Sequence, residues 1–273
     1  VARSWAANGV SLAAGTNLIR FTATNNPAVT LLVADHGTNA AYADNWQNGD
    51  AGGTGWAAGW NLTNWNGTAS FAIMTNSPGN LDVGPRAWTL VASNGATAEA
   101  RRDFGQALAV GQTLRLWFDN NYINTGYSVG LGLQNGAGGN LFEFMFIGGA
   151  STYVINDLTN GRPTSIPWFN NGRDLSFTLT SPGAYVFTCG VYTVSGQLAA
   201  LGDQAPVRLK LWNYSAGATY EYNFYANNAR LFSAPPVPLS TSVVVMIERP
   251  GNDTDHDGMA DDWESVNGLI VGV

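Results

Sequence analysis

The chain has 273 residues, enough for one large or two smaller domains with a sizeable core. Hydrophobic residues make up 45% and charged residues only 11%, and the net charge of −7 is uneven: residues 253–264 hold six of the 19 acids and no base, leaving 13 acids against 12 bases elsewhere. A body so close to neutral offers neither a basic patch for nucleic acid nor a polybasic membrane surface, and no run approaches the ~20 apolar residues of a membrane span.

Residues 1–34 carry short alternating runs, SWAANGVSL, TNLIRFTAT and AVTLLVAD, separated by turn residues at Asn8, Gly9, Ala14 and Gly15. These predict strands. The pattern of Trp5, Val10, Leu12, Gly15, Ile19 and Phe21 resembles the closing hairpin of bacterial immunoglobulin-like domains, of which about a quarter is present. Two or three strands do not bury a core alone, so the segment is expected to join the main sheet or to complete a neighbouring molecule by strand addition.

Between residues 41 and 67 the chain sets Trp46, Trp56, Trp60 and Trp65 among glycines and asparagines, without helical or strand periodicity. Two roles fit. Large side chains fold a Gly-rich loop back onto the body, and indoles on loops form flat apolar platforms for sugar rings. The four tryptophans are therefore candidate ligand-binding residues as well as candidate anchors.

From residue 69 to 232 the alternation is regular through RAWTLVAS, TAEARRDF, TLRLWFD, YSVGLGLQ, LFEFMFI, TYVIND, DLSFTLT, AYVFTCGVYTV, VRLKLWN and TYEYNFYA. Asn94 and Gly95 form a two-residue hairpin signal between the first two runs. About ten strands with no helix between them predict an all-β fold, an antiparallel two-sheet β-sandwich of the jelly-roll or lectin-like kind, over residues 41–232. The series GPRAWTL, ALAVGQTLRLWFDN, VGLGLQN, LFEFMFIGG and YVIND is similar to a β-sandwich domain that recurs in large secreted bacterial proteins. That resemblance implies export and modular architecture, not an activity.

Residues 233–248 read as a Pro-rich hinge and one further strand, followed by DTDHDGMADDWE. Here Asp253, Asp255 and Asp257 take positions one, three and five of a twelve-residue loop, Gly258 six, Met259 seven, Asp261 nine and Glu264 twelve. This is the spacing of an EF-hand-type calcium loop, with the Met259 carbonyl and a bidentate Glu264 completing the oxygen set. Calcium is the expected cofactor. A β-branched run and a Pro250, Gly251 turn precede the loop where an EF-hand has its entering helix. The stretch thus resembles the isolated calcium loops of dockerins and thrombospondin type-3 repeats, which implies a structural staple in an extracellular setting.

The single cysteine, Cys189, excludes an internal disulfide and reads as a packed hydrophobe. The chain has no signal stretch and no initiator Met, and reads as a mature product or an internal piece. Only Glu143 and Glu221 suggest a carboxylate pair for glycoside hydrolysis, and His36 is the one histidine outside the loop; no nucleophile or zinc motif accompanies them. The expectation is therefore a secreted, non-catalytic structural or adhesive protein that associates with copies of itself or with neighbouring domains. A carbohydrate-binding module using the tryptophans, with polysaccharide as partner, is the alternative, and a glycosidase or lyase the third.

Overall fold

The computed structural model describes residues 15–23, 29–75, 81–234, 239–247, 254 and 261–268. Two compact units make up the chain, a large one over Ala28–Pro235 and a small one drawn from both ends, Val1–Pro27 and Pro236–Val273. Among the described residues the strands in chain order are β1 (Gly15–Ala23), β2 (Leu31–Asp35), β3 (Asn61–Trp65), β4 (Thr68–Met74), β5 (Ala87–Ser93), β6 (Thr97–Asp103), β7 (Thr113–Asn120), β8 (Ser128–Gln134) and β9 (Asn140–Ile147). They continue as β10 (Thr152–Asn156), β11 (Arg162–Pro167), β12 (Arg173–Ser181), β13 (Ala184–Cys189), β14 (Tyr192–Gln197), β15 (Arg208–Tyr214), β16 (Phe224–Phe232) and β17 (Leu239–Ile247), with helix α1 (Asp261–Asn267) last.

The large unit is the antiparallel two-sheet sandwich that the sequence predicts. One sheet runs β11-β10-β9-β8-β15-β6-β3; the other runs β14-β13-β12-β7-β16-β5-β4, with β2 added to the far half of β16. Alternation sets the two inner faces. Phe142 and Phe144 of β9 meet Phe177 of β12 and Tyr185 and Phe187 of β13, and Phe146 packs on Tyr153 of β10, all buried. Ring centroids there lie 4.6–5.3 Å apart for the contacts of Phe142 and Phe144 with Phe177, Tyr185 and Phe187. Each such side chain contributes on the order of 2 kcal/mol through burial.

The structure divides residues 1–34 differently from the sequence reading. β2 belongs to the sandwich, whereas β1 pairs along its full length with β17, from Gly15 opposite Ile247 to Ala23 opposite Leu239. The two strands that an exchange would donate are paired with each other within one chain. Residues 1–14 and 235–238 lie outside the described residues.

The stretch from 41 to 67 also holds order that periodicity misses, since β3 occupies residues 61–65. At Asn66 (φ 53°) and Gly67 (φ 43°) the chain crosses from one sheet to the other. Asn94 (φ 57°) and Gly95 (φ 78°) do form the expected tight turn, closed by Ala96 N–H donating to Ser93 at 3.0 Å. The strands it joins, however, enter opposite sheets, so it is a sandwich corner and not a hairpin. The two corners pack together: a Cβ on Gly67 would sit 2.5 Å from the Asn94 carbonyl, which only glycine tolerates. Two further runs also resolve differently, AYVFTCGVYTV into the hairpin β13–β14 and TYEYNFYA into a 3₁₀ turn (Tyr220–Tyr222) leading to β16.

Candidate functional site

The tryptophan-rich segment is held by a buried polar cluster. Arg102 projects inward from β6 between the two sheets and pairs with Asp35 of β2, whose carboxylate also accepts from Tyr42 Oη. Burial raises the Asp35 pKa, and the bonds from Tyr42 and Arg102 oppose that rise. Arg102 Nε donates to the Ala58 carbonyl at 2.9 Å, and Trp60 Nε1 donates to Tyr42 Oη at 3.0 Å. The guanidinium lies 4.7 Å from the Trp56 ring centroid and 5.6 Å from that of Trp60. Trp46 and Trp60 are 2% and 1% exposed, edge to face at 5.2 Å, so the core takes both indoles and neither offers a ring face for stacking. Trp56 is half-buried and stacks on Phe104 at 5.4 Å. Only Trp65, 44% exposed, stands on the surface.

Trp65 lies on the outer face of the seven-stranded sheet. Cross-strand register aligns it with Thr97 of β6 and Tyr214 of β15, and Tyr214 is 41% exposed. Two strand spacings separate the aromatic pair, roughly 10 Å. Tyr127 meets the Tyr214 ring edge-on at 5.3 Å. Trp212, two residues back on the same face of β15, packs its ring over Gly130 of β8, where a Cβ would come within 2.6 Å of it.

Four residues along the strands from Trp65, about 13 Å, the same face opens into a cavity of about 400 Å³. Asn48, Asn61, Arg101, Asp103 and Arg208 bring side-chain hydrogen-bonding groups to it, and Gly49 and residues 58–60 form a wall. Arg208 forks onto Asp103, Nη2 at 3.0 Å, which holds the guanidinium charged. Arg101 pairs through Nε with Glu99, and its guanidinium carbon lies 5.7 Å from the Trp65 ring centroid. The face therefore offers apolar ring surfaces at one end and fixed donors and acceptors at the other, a combination suited to a polyhydroxylated ring chain. Composition alone did not reveal Arg101, Asp103, Arg208 or Tyr214; strand alternation in TAEARRDF and VRLKLWNY places each on the outward side.

Of the calcium set, Asp253, Asp255, Asp257 and Met259 lie outside the described residues. Asp261 and Glu264 sit on α1. Both Asp261 carboxylate oxygens accept from Thr254, from its N–H at 2.8 Å and from its hydroxyl at 2.6 Å, which brings loop position nine back to position two. Glu264 is 2% exposed. Asp261 and Glu264, three residues apart on that helix, are the part of the expected set that lies among the described residues.

The other candidates are occupied otherwise. Glu143 pairs with Lys210 at 2.6 Å and accepts from Asn156 at 3.0 Å, while Glu221 is exposed on the Tyr220–Tyr222 turn and not on a strand as expected. His36 Nδ1 faces the Thr38 hydroxyl at 2.9 Å. Burial pushes the Cys189 thiol up to about 12, so it is an inert core residue.

These features define a lectin-like β-sandwich with an aromatic and polar outer face. No protein-family model and no curated protein matches the sequence. Solved structures similar in shape include the globular domain of T. cruzi calreticulin, at 7% identity and TM-score 0.48 over 74% of this chain and 88% of that one. The receptor binding domain of botulinum neurotoxin D is similar at 9% identity and TM-score 0.44, over 76% of this chain and 50% of that one. Caenorhabditis elegans galectin LEC-6 is similar at 12% identity and TM-score 0.34, over 48% of this chain and 88% of that one. At these values the likeness concerns the arrangement of strands, and neither ligand nor activity passes to this chain.

Proposed function

We propose that the protein is a non-catalytic carbohydrate-binding module that takes an extended polysaccharide on the outer face of the seven-stranded sheet. Trp65 and Tyr214 stack on sugar rings, and Asn61, Arg101, Asp103 and Arg208 bond to hydroxyls or other polar substituents. The observation that carries this reading is the pairing of two exposed aromatics in one cross-strand row with a polar cavity on the same face. Asp253, Asp255, Asp257, the Met259 carbonyl, Asp261 and Glu264 hold calcium, which supplies charge neutralisation to the C-terminal loop; an extracellular setting supplies the ion.

Affinity electrophoresis and calorimetry against a panel of neutral and acidic polysaccharides test the assignment. Binding to at least one is expected, lost in Trp65→Ala and in Tyr214→Ala with the melting temperature unchanged. Failure to bind any member of the panel, or full binding by the Trp65→Ala variant, refutes it.

A further inference from the structure

The sequence contains one lysine, Lys210, against eleven arginines. In the other side-chain ion pairs among the described residues the base is arginine, at Glu99, Asp35, Asp157 and Asp103. Arginine makes the better fork onto a carboxylate, but its guanidinium stays protonated in proteins, whereas an amine that gives up its proton becomes a nucleophile. The lone lysine stands where that difference has a chemical use.

Lys210 points outward from β15 with 8% of its side chain exposed, and its Nζ lies 4.5 Å from the Trp212 ring centroid. Gly132 of β8 lies directly beside it, between β15 and β9. A Cβ there would fall 3.2 Å from Glu143 Cγ and 3.6 Å from Lys210 Cε, so glycine leaves the lane through which the lysine stem crosses β8. At the end of that lane Nζ donates to Glu143 Oε1 at 2.6 Å and to the carboxamide Oδ1 of Asn140 at 3.0 Å. The same oxygen accepts from Gln134 Nε2 at 2.9 Å, and Glu143 is steadied through its second oxygen by Asn156 Nδ2 at 3.0 Å. An amine, a carboxamide polarised by a second donor, and a carboxylate in contact with the amine are thus assembled on two strands separated by a third.

We propose that Lys210 and Asn140 join in an intramolecular isopeptide bond, with Glu143 as the proton carrier. Glu143 takes a proton from the Lys210 ammonium, and the neutral Nζ adds to Cγ of Asn140 while Gln134 Nε2 holds the charge that develops on Oδ1. Glu143 passes the proton to Nδ2 and receives one from Nζ; the Cγ–Nδ2 bond breaks and ammonia departs. The proton left on Glu143 goes with it. In balance, an ammonium and a primary carboxamide give a secondary amide and an ammonium ion, with no change of oxidation state and no co-reactant. Asn140 is exposed, so the leaving group departs directly into water. The product links β15 to β9 across β8. It is independent of the carbohydrate reading, because it uses none of the residues assigned to sugar.

Intact-mass measurement of the full chain under denaturing conditions is the test. The expected mass is that of the sequence less one ammonia, and tryptic mapping should find a branched species that joins the Asn140 peptide to an uncleaved Lys210 site. Lys210→Arg and Glu143→Gln should each restore the full sequence mass in a folded protein. Cyclisation at an Asn-Gly pair also loses ammonia, so the map decides: a deficit located there, with cleavage after Lys210, overturns the proposal. A wild-type mass equal to that of the sequence overturns it as well.

Discussion

Asp119 gives the sharpest energetic prediction. It projects from β7 on the outer face of the eight-stranded sheet and is fully buried. One carboxylate oxygen accepts the Asp82 N–H at 3.1 Å, and the other has no hydrogen-bond partner. Burial raises its pKa to about 7, the nearby Asp82 charge adds to the rise, and Arg173 offsets only part of it. In an unfolded chain the same group titrates near 3.9. Below that pH both states are protonated and there is no penalty. As pH rises from about 4 to about 7 the unfolded chain releases the proton first, so stability is lost across that window and stays low above it. Three pH units correspond to about 4 kcal/mol, or roughly 10 °C in melting temperature for a domain of this size. Asp119→Asn keeps an acceptor for Asp82 and removes the titration. Its melting temperature should match wild type at pH 4 and exceed it increasingly towards pH 8, and taking the difference cancels carboxylates elsewhere. A gap between the two proteins that does not change with pH would refute the reasoning.

Removing the buried base should be costly: Arg102→Met leaves Asp35 uncompensated between the sheets and is expected to lose about 3–5 kcal/mol in urea unfolding, with part recovered in the double variant carrying Asp35→Asn. Trp60→Ala should lose about 3–5 kcal/mol through the cavity it opens, whereas Trp65→Ala should stay within about 0.5 kcal/mol of wild type. A destabilised Trp65→Ala protein would contradict its surface placement. Chelation should expose the segment around residues 253–264 to protease, because its six acids repel one another without the ion; identical digestion with and without EDTA would remove calcium from the account.

Strand content was legible because alternation is local. Phe142, Phe144 and Phe146 announce an inward face whatever lies opposite, and the sandwich class follows from enough such runs with no helix between them. Partnership is not local. The turn at Asn94 and Gly95 has the sequence of a hairpin and its backbone, yet the flanking alanines, Ala92, Ala96, Ala98 and Ala100, are fully buried small residues that let two sheets meet at a corner. Similarly, nothing near β1 indicates that its partner lies more than 200 residues away in β17. The tryptophans posed the same difficulty. Trp56 and Trp60 pack on the guanidinium of Arg102, which Asp35, 67 residues away, pairs between the sheets, and a charged residue in the inward register of TAEARRDF reads as an exception until its partner is known.

The binding face shows the same limit from the other side. Outward alternation places Glu99, Arg101 and Asp103 on one side of β6, and Arg208, Lys210, Trp212 and Tyr214 on one side of β15, but only the insertion of β15 between β8 and β6 makes them one surface. That insertion aligns Asn61, Arg101, Lys210, Gly132 and Glu143 in a single cross-strand row. The row begins in the cavity assigned to sugar and ends at the proposed cross-link. A covalent tie between β15 and β9 would fix the strand that carries Arg208 and Tyr214, so that these groups are held in place before ligand arrives. Binding then loses less of its gross energy to ordering the protein. Lys210→Arg, which preserves the charge and abolishes the bond, should accordingly weaken polysaccharide binding chiefly through entropy, a change that calorimetry resolves from lost contacts; an unaltered entropy of binding in a variant shown by mass to lack the link would separate the two features.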